Sequence, residues 1–149
     1  MTDTKKRLFA KDHLDPQKSS QPSETGFETL RYGENKVVFE EGEPGDAAYL
    51  IIRGRVEIRK GTRSSNPQTL AMLSKNDIFG EMALFDESAR MAEAITRTPV
   101  ELVSINREEF NRRLETIDPV IRTISLYLVK RVRHMATEFM KRKDPNWGP

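Results

Sequence analysis

The sequence predicts a mainly β domain followed by two C-terminal helices, and three observations support this fold class. Residues 27–105 alternate short β-branched and aromatic runs with Gly, Pro, Asn and Asp, a pattern typical of an all-β barrel or sandwich. After this region the apolar side chains recur at helical intervals, which indicates helices. The length of 149 residues is enough for one domain with one core and too small for two.

The predicted strands are short runs bounded by residues that favour turns. They are Thr29–Tyr32, Lys36–Phe39, Ala48–Arg53, Arg55–Lys60, Thr69–Leu73, Met91–Arg97 and Val100–Ile105. Gly42, Gly45 and Gly54 lie in the turns between them, and ordinary turn chemistry accounts for these glycines.

The helical region is predicted to begin directly after the last strand. Asn106 is a good N-cap residue and Glu109 stands three positions later, so a helix should begin at Arg107. Asp118 and Pro119 interrupt it, and a proline suits the first turn of a second helix. This long helix is expected to end at about residue 142.

Both ends of the chain are predicted to be polar tails. Residues 1–26 are rich in Ser, Gln, Pro and basic side chains, a composition that buries too little apolar surface to order itself. Residues 144–149 follow the last helix. The domain is therefore expected to span residues 27–143, with the barrel in 27–106 and the helices in 107–143.

The composition limits the classes of function that need to be considered. The 25 basic and 23 acidic residues give a net charge of +2, so no global field favours a nucleic-acid partner. The absence of cysteine excludes disulfides and thiolate metal sites. No apolar run approaches the length of about 18 residues that a membrane span needs. We therefore expect a cytoplasmic protein with neither nucleic acid nor membrane as a partner.

An enzymatic role is not expected from the residues available. The only two histidines are His13, in the predicted tail, and His134, on the long helix. A metal centre or a Ser-His-Asp relay would thus depend on a single ordered imidazole. The sequence also lacks the Gly-x-x-x-x-Gly-Lys-Ser/Thr loop that holds nucleoside triphosphates. We expect no catalytic residue and no metal ligand.

The strongest functional signal is the stretch of residues 79–92. Gly80 precedes a short apolar turn, and the exposed N–H groups at the start of such a turn favour a phosphate. Arg90 supplies a planar fork of donors that matches two phosphate oxygens. Glu81 would repel the phosphate unless its oxygens accept from another group of the ligand, such as a sugar hydroxyl. The stretch therefore predicts an anion site for a sugar phosphate.

This residue order resembles the phosphate-binding cassette of the cyclic nucleotide-binding domain family, which includes the ligand-binding domains of catabolite activator protein, kinase regulatory subunits and cyclic-nucleotide-gated channels. The matching residues are Phe79, Gly80, Glu81, Ala83, Leu84, Arg90 and Ala92. Ala89 departs from the family pattern, in which a proline usually precedes the arginine. Met91 and Glu93 stand where small or hydroxyl residues are common. The glycine pattern of the strands extends the resemblance from about Leu30 to Leu114.

The resemblance implies an antiparallel β-barrel or jelly roll with a short cassette helix and two C-terminal helices. It implies that Glu81 holds the ribose 2′-hydroxyl, that Arg90 holds the cyclic phosphate, and that the N–H groups of Ala83 and Met91 hold the remaining phosphate oxygens. The implied ligand-binding residues are Gly80, Glu81, Met82, Ala83, Arg90, Met91, Ala92, Ile58, Leu70, Leu73, Arg131 and Met135. The three strand residues would face the sugar and base, and the last two would belong to a helical lid.

The expected function is a non-catalytic cyclic-nucleotide receptor, with cAMP as the ligand. Family members often hold the guanine amino group with a hydroxyl directly after the arginine, whereas the Met91 thioether donates nothing. A cGMP-preferring sensor and a ligand-free interaction module are the alternatives. In the latter, Glu81 and Arg90 would remain as a partly buried charge pair of doubtful benefit to stability.

The long helix is expected to pass the signal to a partner protein or to a second copy of the chain. One apolar stripe recurs at steps of three and four residues, and it consists of Ile121, Ile124, Leu128, Val132, Met135 and Phe139. A second, weaker line lies on a different side and consists of Leu126, Val129, Ala136 and Met140. One barrel cannot cover both sides, so apolar surface should remain for a partner.

Overall fold

The computed structural model describes residues 17–18, 27–85 and 87–143, except for the side chains at positions 17, 18, 136, 140 and 143. The strands are β1 Gln17–Lys18, β2 Glu28–Tyr32, β3 Val37–Phe39, β4 Ala47–Arg53, β5 Val56–Lys60, β6 Gln68–Leu73, β7 Ile78–Phe79, β8 Glu93–Thr96 and β9 Val100–Asn106. A one-turn 3₁₀ helix, called here the cassette turn, spans Glu81–Leu84. The helices are α1, Arg107–Leu114, and α2, Pro119–Lys143.

The strands form two antiparallel sheets. One sheet has the order β1-β2-β9-β4-β7 and the other has the order β3-β8-β5-β6. The predicted mainly antiparallel β fold with two C-terminal helices is confirmed. Hydrogen bonds between the described strands do not join the two sheets into one closed barrel.

The core is built by apolar side chains that both sheets contribute. Its buried members are Leu30, Val38, Phe39, Ile51, Val56, Phe79, Ala94, Val100 and Leu102. Burying one large aliphatic or aromatic side chain contributes about 1.5–3 kcal/mol. Thr96 is fully buried among them, and its hydroxyl donates to the Gly33 carbonyl at 2.6 Å and accepts from the Lys36 N–H at 2.8 Å. The buried hydroxyl is therefore satisfied, as a polar group in a core must be.

All seven predicted strands are present, and two further strands were not predicted. The predicted strand Met91–Arg97 is shorter in the structure, Glu93–Thr96, because residues 91 and 92 bend around the cavity described below. Strand β7 has only two residues, too few for an alternating pattern to be recognised. Strand β1 lies in the predicted tail, where Gln17 and Lys18 pair with the edge of β2.

Both helices begin at a side-chain cap. The Asn106 side-chain oxygen accepts from the N–H of Glu108 at 2.9 Å, which confirms the predicted cap of α1. The Asp118 carboxylate accepts from the N–H of Val120 at 2.8 Å and caps α2 in the same way.

The chain divides into two compact units, residues 1–110 and residues 111–149. The first unit contains both sheets, the cassette turn and the first turn of α1. The second contains the rest of α1 and all of α2. In the part of the chain that is described, neither helix combines the length and apolar character required to cross a bilayer.

Candidate functional site

A cavity of about 400 Å³ lies next to the cassette turn in the first unit. Three parts of the chain line it. The first is a set of strand residues, Phe39, Ile58, Leu70, Leu73, Ile78 and Phe79; the second is Gly80–Ala83, at the start of the cassette turn; and the third is Ser88–Ala92, before β8. Protein sites for small molecules occupy roughly 300–1,000 Å³. The cavity is thus large enough for a small ligand.

Gly80 sets the path of the chain into the cassette turn. Its φ is 68° and its ψ is 17°, the left-handed conformation that glycine adopts without a steric penalty. A Cβ at this position would also lie 2.7 Å from Arg90 Nη1. The Ala83 N–H donates to the Gly80 carbonyl at 3.2 Å. Glycine is therefore needed here both for the turn and for the approach of the guanidinium.

The Arg90 side chain is buried in the cavity wall, with 8% of its surface exposed. Nη2 donates to the Ala47 carbonyl at 2.7 Å and Nη1 donates to the Gly80 carbonyl at 3.1 Å. The guanidinium carbon lies 4.1 Å from the centre of the Phe39 ring, a favourable cation–π distance. The buried Nε–H finds no hydrogen-bond acceptor among the described residues, so this donor is unused.

The charge of Arg90 is poorly compensated by the protein. Burial lowers the pKa of Arg90, and the nearby Tyr49, Glu43 and Asp46 act in the opposite direction. An arginine stays protonated in proteins in spite of such effects. No carboxylate of the described residues forms an ion pair with this guanidinium. An anion that entered the cavity would therefore stabilise this buried cation.

The turn between β3 and β4 holds Arg90 in place. The Arg90 N–H donates to the Glu43 carbonyl at 2.8 Å, and the Gly42 N–H donates to the Arg90 carbonyl at 2.7 Å. A Cβ on Gly45 would lie 2.2 Å from Arg90 Nε and 2.3 Å from Cζ. The interpretation of Gly45 as ordinary turn chemistry is therefore wrong, because this glycine makes room for the guanidinium. This contact could not be predicted from the sequence, because the two residues are far apart in the chain.

Glu81 lies on the cavity wall and is exposed to solvent. Its carboxylate makes no hydrogen bond or ion pair with another described residue. Arg90 and Glu81 consequently do not pair with each other, and both carboxylate oxygens can accept from donors of a ligand.

The rest of the cavity is lined mainly by apolar side chains. Leu70, Ile78 and Met91 are each about half exposed, while Ile58 and Leu73 pack against the core. An apolar wall beside a few polar groups is the usual composition of a small-molecule site. This wall suits a flat, weakly polar group such as a nucleobase.

The structure brings most of the predicted ligand residues together. Ten of the twelve line the cavity, and they are Gly80, Glu81, Met82, Ala83, Arg90, Met91, Ala92, Ile58, Leu70 and Leu73. The other two, Arg131 and Met135, belong to α2 in the second unit. Met135 lines a groove on that helix, and Arg131 donates to the Tyr127 hydroxyl at 3.2 Å. Ligand contacts by these two residues remain a prediction.

Sequence reasoning missed the residues that support Arg90 from behind. Phe39, Gly45 and Ala47 contact its guanidinium, yet none of them carries a chemical signature. Phe39 contributes the face of its ring, Gly45 contributes the space left by its missing side chain, and Ala47 contributes its backbone carbonyl. In the described ranges, no group of three His, Asp or Glu side chains could hold a metal ion.

Comparisons with known proteins agree with this geometry. The family model of the cyclic nucleotide-binding domain matches residues 29–116. The cyclic AMP receptor protein of Thermus thermophilus is 30% identical over 112 residues, which are 75% of this chain and 52% of that protein. The cAMP-dependent protein kinase regulatory subunit of Pyricularia oryzae is 33% identical over 96 residues, 64% of this chain and 24% of that protein. The chain thus spans about half the length of the first relative and about a quarter of the length of the second.

Solved structures of the EAL enzyme Bd1971 are similar in fold. The halfsite-occupied form has a TM-score of 0.66 at 32% identity, and the match covers 74% of this chain and 98% of that one. The cAMP-bound form has a TM-score of 0.58 and covers 75% of this chain and 30% of that one, at 31% identity. The cGMP-bound form has a TM-score of 0.60, also at 31% identity, and covers 76% of this chain and 30% of that one.

Proposed function

Since the chain belongs to the cyclic nucleotide-binding domain family, we propose that it is a non-catalytic receptor whose cavity binds a cyclic nucleotide. The observation that carries the proposal is the state of Arg90. This buried cation has an unused Nε–H donor and no carboxylate partner among the described residues. A cyclic phosphate supplies a negative charge and two exocyclic oxygens, which a guanidinium fork matches.

In this proposal each group of cavity residues has one role. Arg90 binds the cyclic phosphate, assisted by the N–H groups of Ala83 and Met91, and Glu81 accepts from the ribose 2′-hydroxyl. Gly80, Met82 and Ala92 shape the cassette around the phosphate. The apolar side chains of Ile58, Leu70 and Leu73 pack against the sugar and base. The two sheets would enclose this site as the two halves of a jelly roll.

We propose cAMP as the preferred nucleotide, with cGMP as the alternative. Met91, which is 45% exposed at the cavity wall, offers no hydroxyl for the guanine amino group. The names of the two relatives refer to cyclic AMP, and this supports the choice. Bd1971, however, has been solved in both a cAMP-bound and a cGMP-bound form.

We propose that α2 carries the output to a protein partner or to a second copy of the chain. Helix α2 has many half-exposed apolar side chains, among them Ile121, Ile124, Leu128, Val132, Met135 and Phe139. Exposed apolar surface on this scale marks an interaction site. Arg131 and Met135 would contact the base when the helix closes over the ligand. Nucleotide should then slow amide hydrogen exchange across residues 130–142, and an unchanged rate there would make α2 a fixed scaffold.

A ligand-free interaction module is the second candidate function. It is favoured by the two bonds that Arg90 makes to the carbonyls of Ala47 and Gly80, because these give the side chain a structural role without a ligand. The two candidates differ in whether nucleotide binds at all.

Calorimetric titration with cAMP tests the proposal, with Arg90→Ala as the variant and Arg53→Ala as the control. Arg53 is an exposed arginine at the end of β4 that does not line the cavity, so the control removes the same charge. A hydrogen bond to a charged group contributes about 1.5–3 kcal/mol, so Arg90→Ala should weaken binding at least about tenfold. Arg53→Ala should bind as the wild type does. Equal affinity in both variants would refute the role of Arg90, and a wild type that binds neither cyclic nucleotide would favour the interaction module.

A further inference from the structure

Met82 and Met91 both lie in the wall of the cavity. Met82 belongs to the cassette turn and is half-buried, whereas Met91 directly follows Arg90 and is 45% exposed. The half-exposed part of the wall also includes the apolar side chains of Leu70 and Ile78. The Met91 thioether is thus open to solvent on the surface that a ligand would cover.

A methionine of similar exposure lies away from the cavity and serves as an internal reference. Met72, on the edge strand β6, is 51% exposed and pairs with Glu57 of β5. It does not line the cavity. A small oxidant dissolved in water can reach both Met72 and Met91, but only a change at Met91 alters the surface that a ligand meets.

Methionine is the side chain of this protein that peroxide oxidises most readily, because the chain has no cysteine. A lone pair of the thioether sulfur attacks one oxygen of hydrogen peroxide, so an S–O bond forms and the O–O bond breaks. The other oxygen leaves as water after it takes up the proton of the transferred hydroxyl group. Sulfur is oxidised to the sulfoxide and the peroxide is reduced. The flexible apolar side chain becomes polar and chiral, and methionine sulfoxide reductases reverse the change.

We propose that Met91 is an oxidation site that controls the cavity, so that its sulfoxide weakens cyclic-nucleotide binding and bound nucleotide protects its thioether from peroxide. The inference rests on the proposed function of the cavity. A ligand that packs on this wall would strip water from the sulfoxide oxygen, which costs free energy unless a donor replaces the water. Leu70 and Ile78 have no polar side-chain group that could do so.

The unused donor in the same wall does not remove this cost. It is the buried Nε–H of Arg90, the residue that directly precedes Met91 and that the proposed function assigns to the phosphate. A sulfoxide that accepted from this donor would compete with the phosphate for it. The affinity for nucleotide should therefore fall whether or not the sulfoxide finds a partner.

The first part of the test follows oxidation in the full chain. Peptide mass spectrometry measures the sulfoxide at Met91 and at Met72 in hydrogen peroxide, with and without saturating cAMP. The nucleotide should slow the oxidation of Met91 severalfold and leave that of Met72 unchanged. Equal slowing at both positions, or none at Met91, would overturn the inference, as would a Met91 that stays reduced while Met72 is oxidised.

The second part compares the cAMP affinity of each protein before and after peroxide by calorimetry. The wild type and the matched control Met72→Leu should each lose about tenfold in affinity on oxidation. Met91→Leu, which keeps the size and the apolar character of the side chain, should bind equally before and after. Methionine sulfoxide reductases for both epimers should restore the affinity of the oxidised wild type.

Three results of this comparison would contradict the role of Met91. An oxidised wild type that binds as tightly as the reduced one excludes it, and so does an equal loss in Met91→Leu and Met72→Leu, because another methionine such as Met82 would then be responsible. If circular dichroism shows that peroxide unfolds the protein, Met91→Gln takes the place of the sulfoxide. It should bind cAMP about tenfold more weakly than Met91→Leu, and equal affinities refute the inference.

Failure of the proposed function has a different signature. A reduced wild type that binds neither cAMP nor cGMP refutes the proposed function, and the inference falls with it. A reduced wild type that binds nucleotide, with an affinity that oxidation of Met91 does not change, refutes the inference alone.

Discussion

Replacing Gly45 with alanine should disable the cavity although Gly45 itself does not line it. The new Cβ would lie 2.2 Å from Arg90 Nε and 2.3 Å from Cζ, far inside van der Waals contact. The φ of Gly45 is not positive, so the backbone accepts alanine and the steric conflict is with the guanidinium alone. Because that group ends a flexible side chain, it should swing away while the backbone stays in place.

The cost follows from the contacts that the guanidinium gives up. It would leave the Ala47 and Gly80 carbonyls and the face of the Phe39 ring. Water then replaces part of these interactions, so we expect a net loss of about 1.5–3 kcal/mol, the value of one hydrogen bond to a charged group. Affinity for cAMP should fall at least about tenfold, because the fork no longer faces the cavity.

Urea denaturation and calorimetry measure the two effects, and Gly61→Ala is the matched control. Gly61 directly follows β5 and does not line the cavity. It has a φ of +74°, and a Cβ there would meet no atom closer than the Ser64 hydroxyl oxygen, at 3.2 Å. Its replacement should cost about 1–2 kcal/mol through backbone strain and leave cAMP affinity unchanged.

A double-mutant cycle with Arg90→Ala isolates the steric conflict from other effects of the added methyl group. In the Arg90→Ala background, Gly45→Ala should cost less than about 0.5 kcal/mol, because the atom it meets is gone. Additive costs, or undiminished cAMP binding by Gly45→Ala, would refute this reasoning.

Two further predictions concern ligand preference and pH. Met91→Thr adds a hydroxyl at the cavity wall and should shift the affinity ratio toward cGMP in parallel titrations; an unchanged ratio removes the reason for preferring cAMP. Hydrogen bonds from Thr69 and Arg97 lower the pKa of Glu57 below its ordinary 4.5. The stability that Glu57 contributes is present above pH 4.5 and is lost as the pH falls through the lowered pKa of its carboxyl group. Urea titrations from about pH 3 to 6 should therefore show a weaker acid dependence for Glu57→Gln, and an identical dependence would contradict this.

Much of the fold can be predicted from the sequence because its signals are local. Alternation and turn residues located seven strands to within two residues at each end, and Asn106 marked the start of α1 as a side-chain cap. The pairing of Gln17 and Lys18 with β2 could not be predicted, because an edge strand is added through backbone groups that any residue has.

The residues of the candidate site likewise fall into some that the sequence could predict and some that it could not. Gly80, Glu81 and Arg90 were identified from one contiguous stretch because their residue types are chemically suited to a sugar phosphate. The supports of Arg90 come from other strands and turns, and Gly45 contributes only the absence of a side chain. Arg107 was predicted only as the first residue of a helix. Its side chain donates to the carbonyls of Ala83 and Gly45, and only the fold brings these groups together. Long-range backbone contacts of this kind leave no local pattern.

The Arg90 Nε–H offers the most direct test of the proposal that Arg90 binds the phosphate of a cyclic nucleotide. It is buried and without an acceptor among the described residues, so its proton resonance in a ¹H–¹⁵N spectrum, assigned by its loss in Arg90→Lys, reports whether this donor gains an acceptor. Saturating cAMP should move this resonance downfield, because the proton gains a charge-assisted hydrogen bond to the phosphate. A resonance that stays in place while calorimetry shows cAMP bound would contradict the assignment of Arg90 to the phosphate.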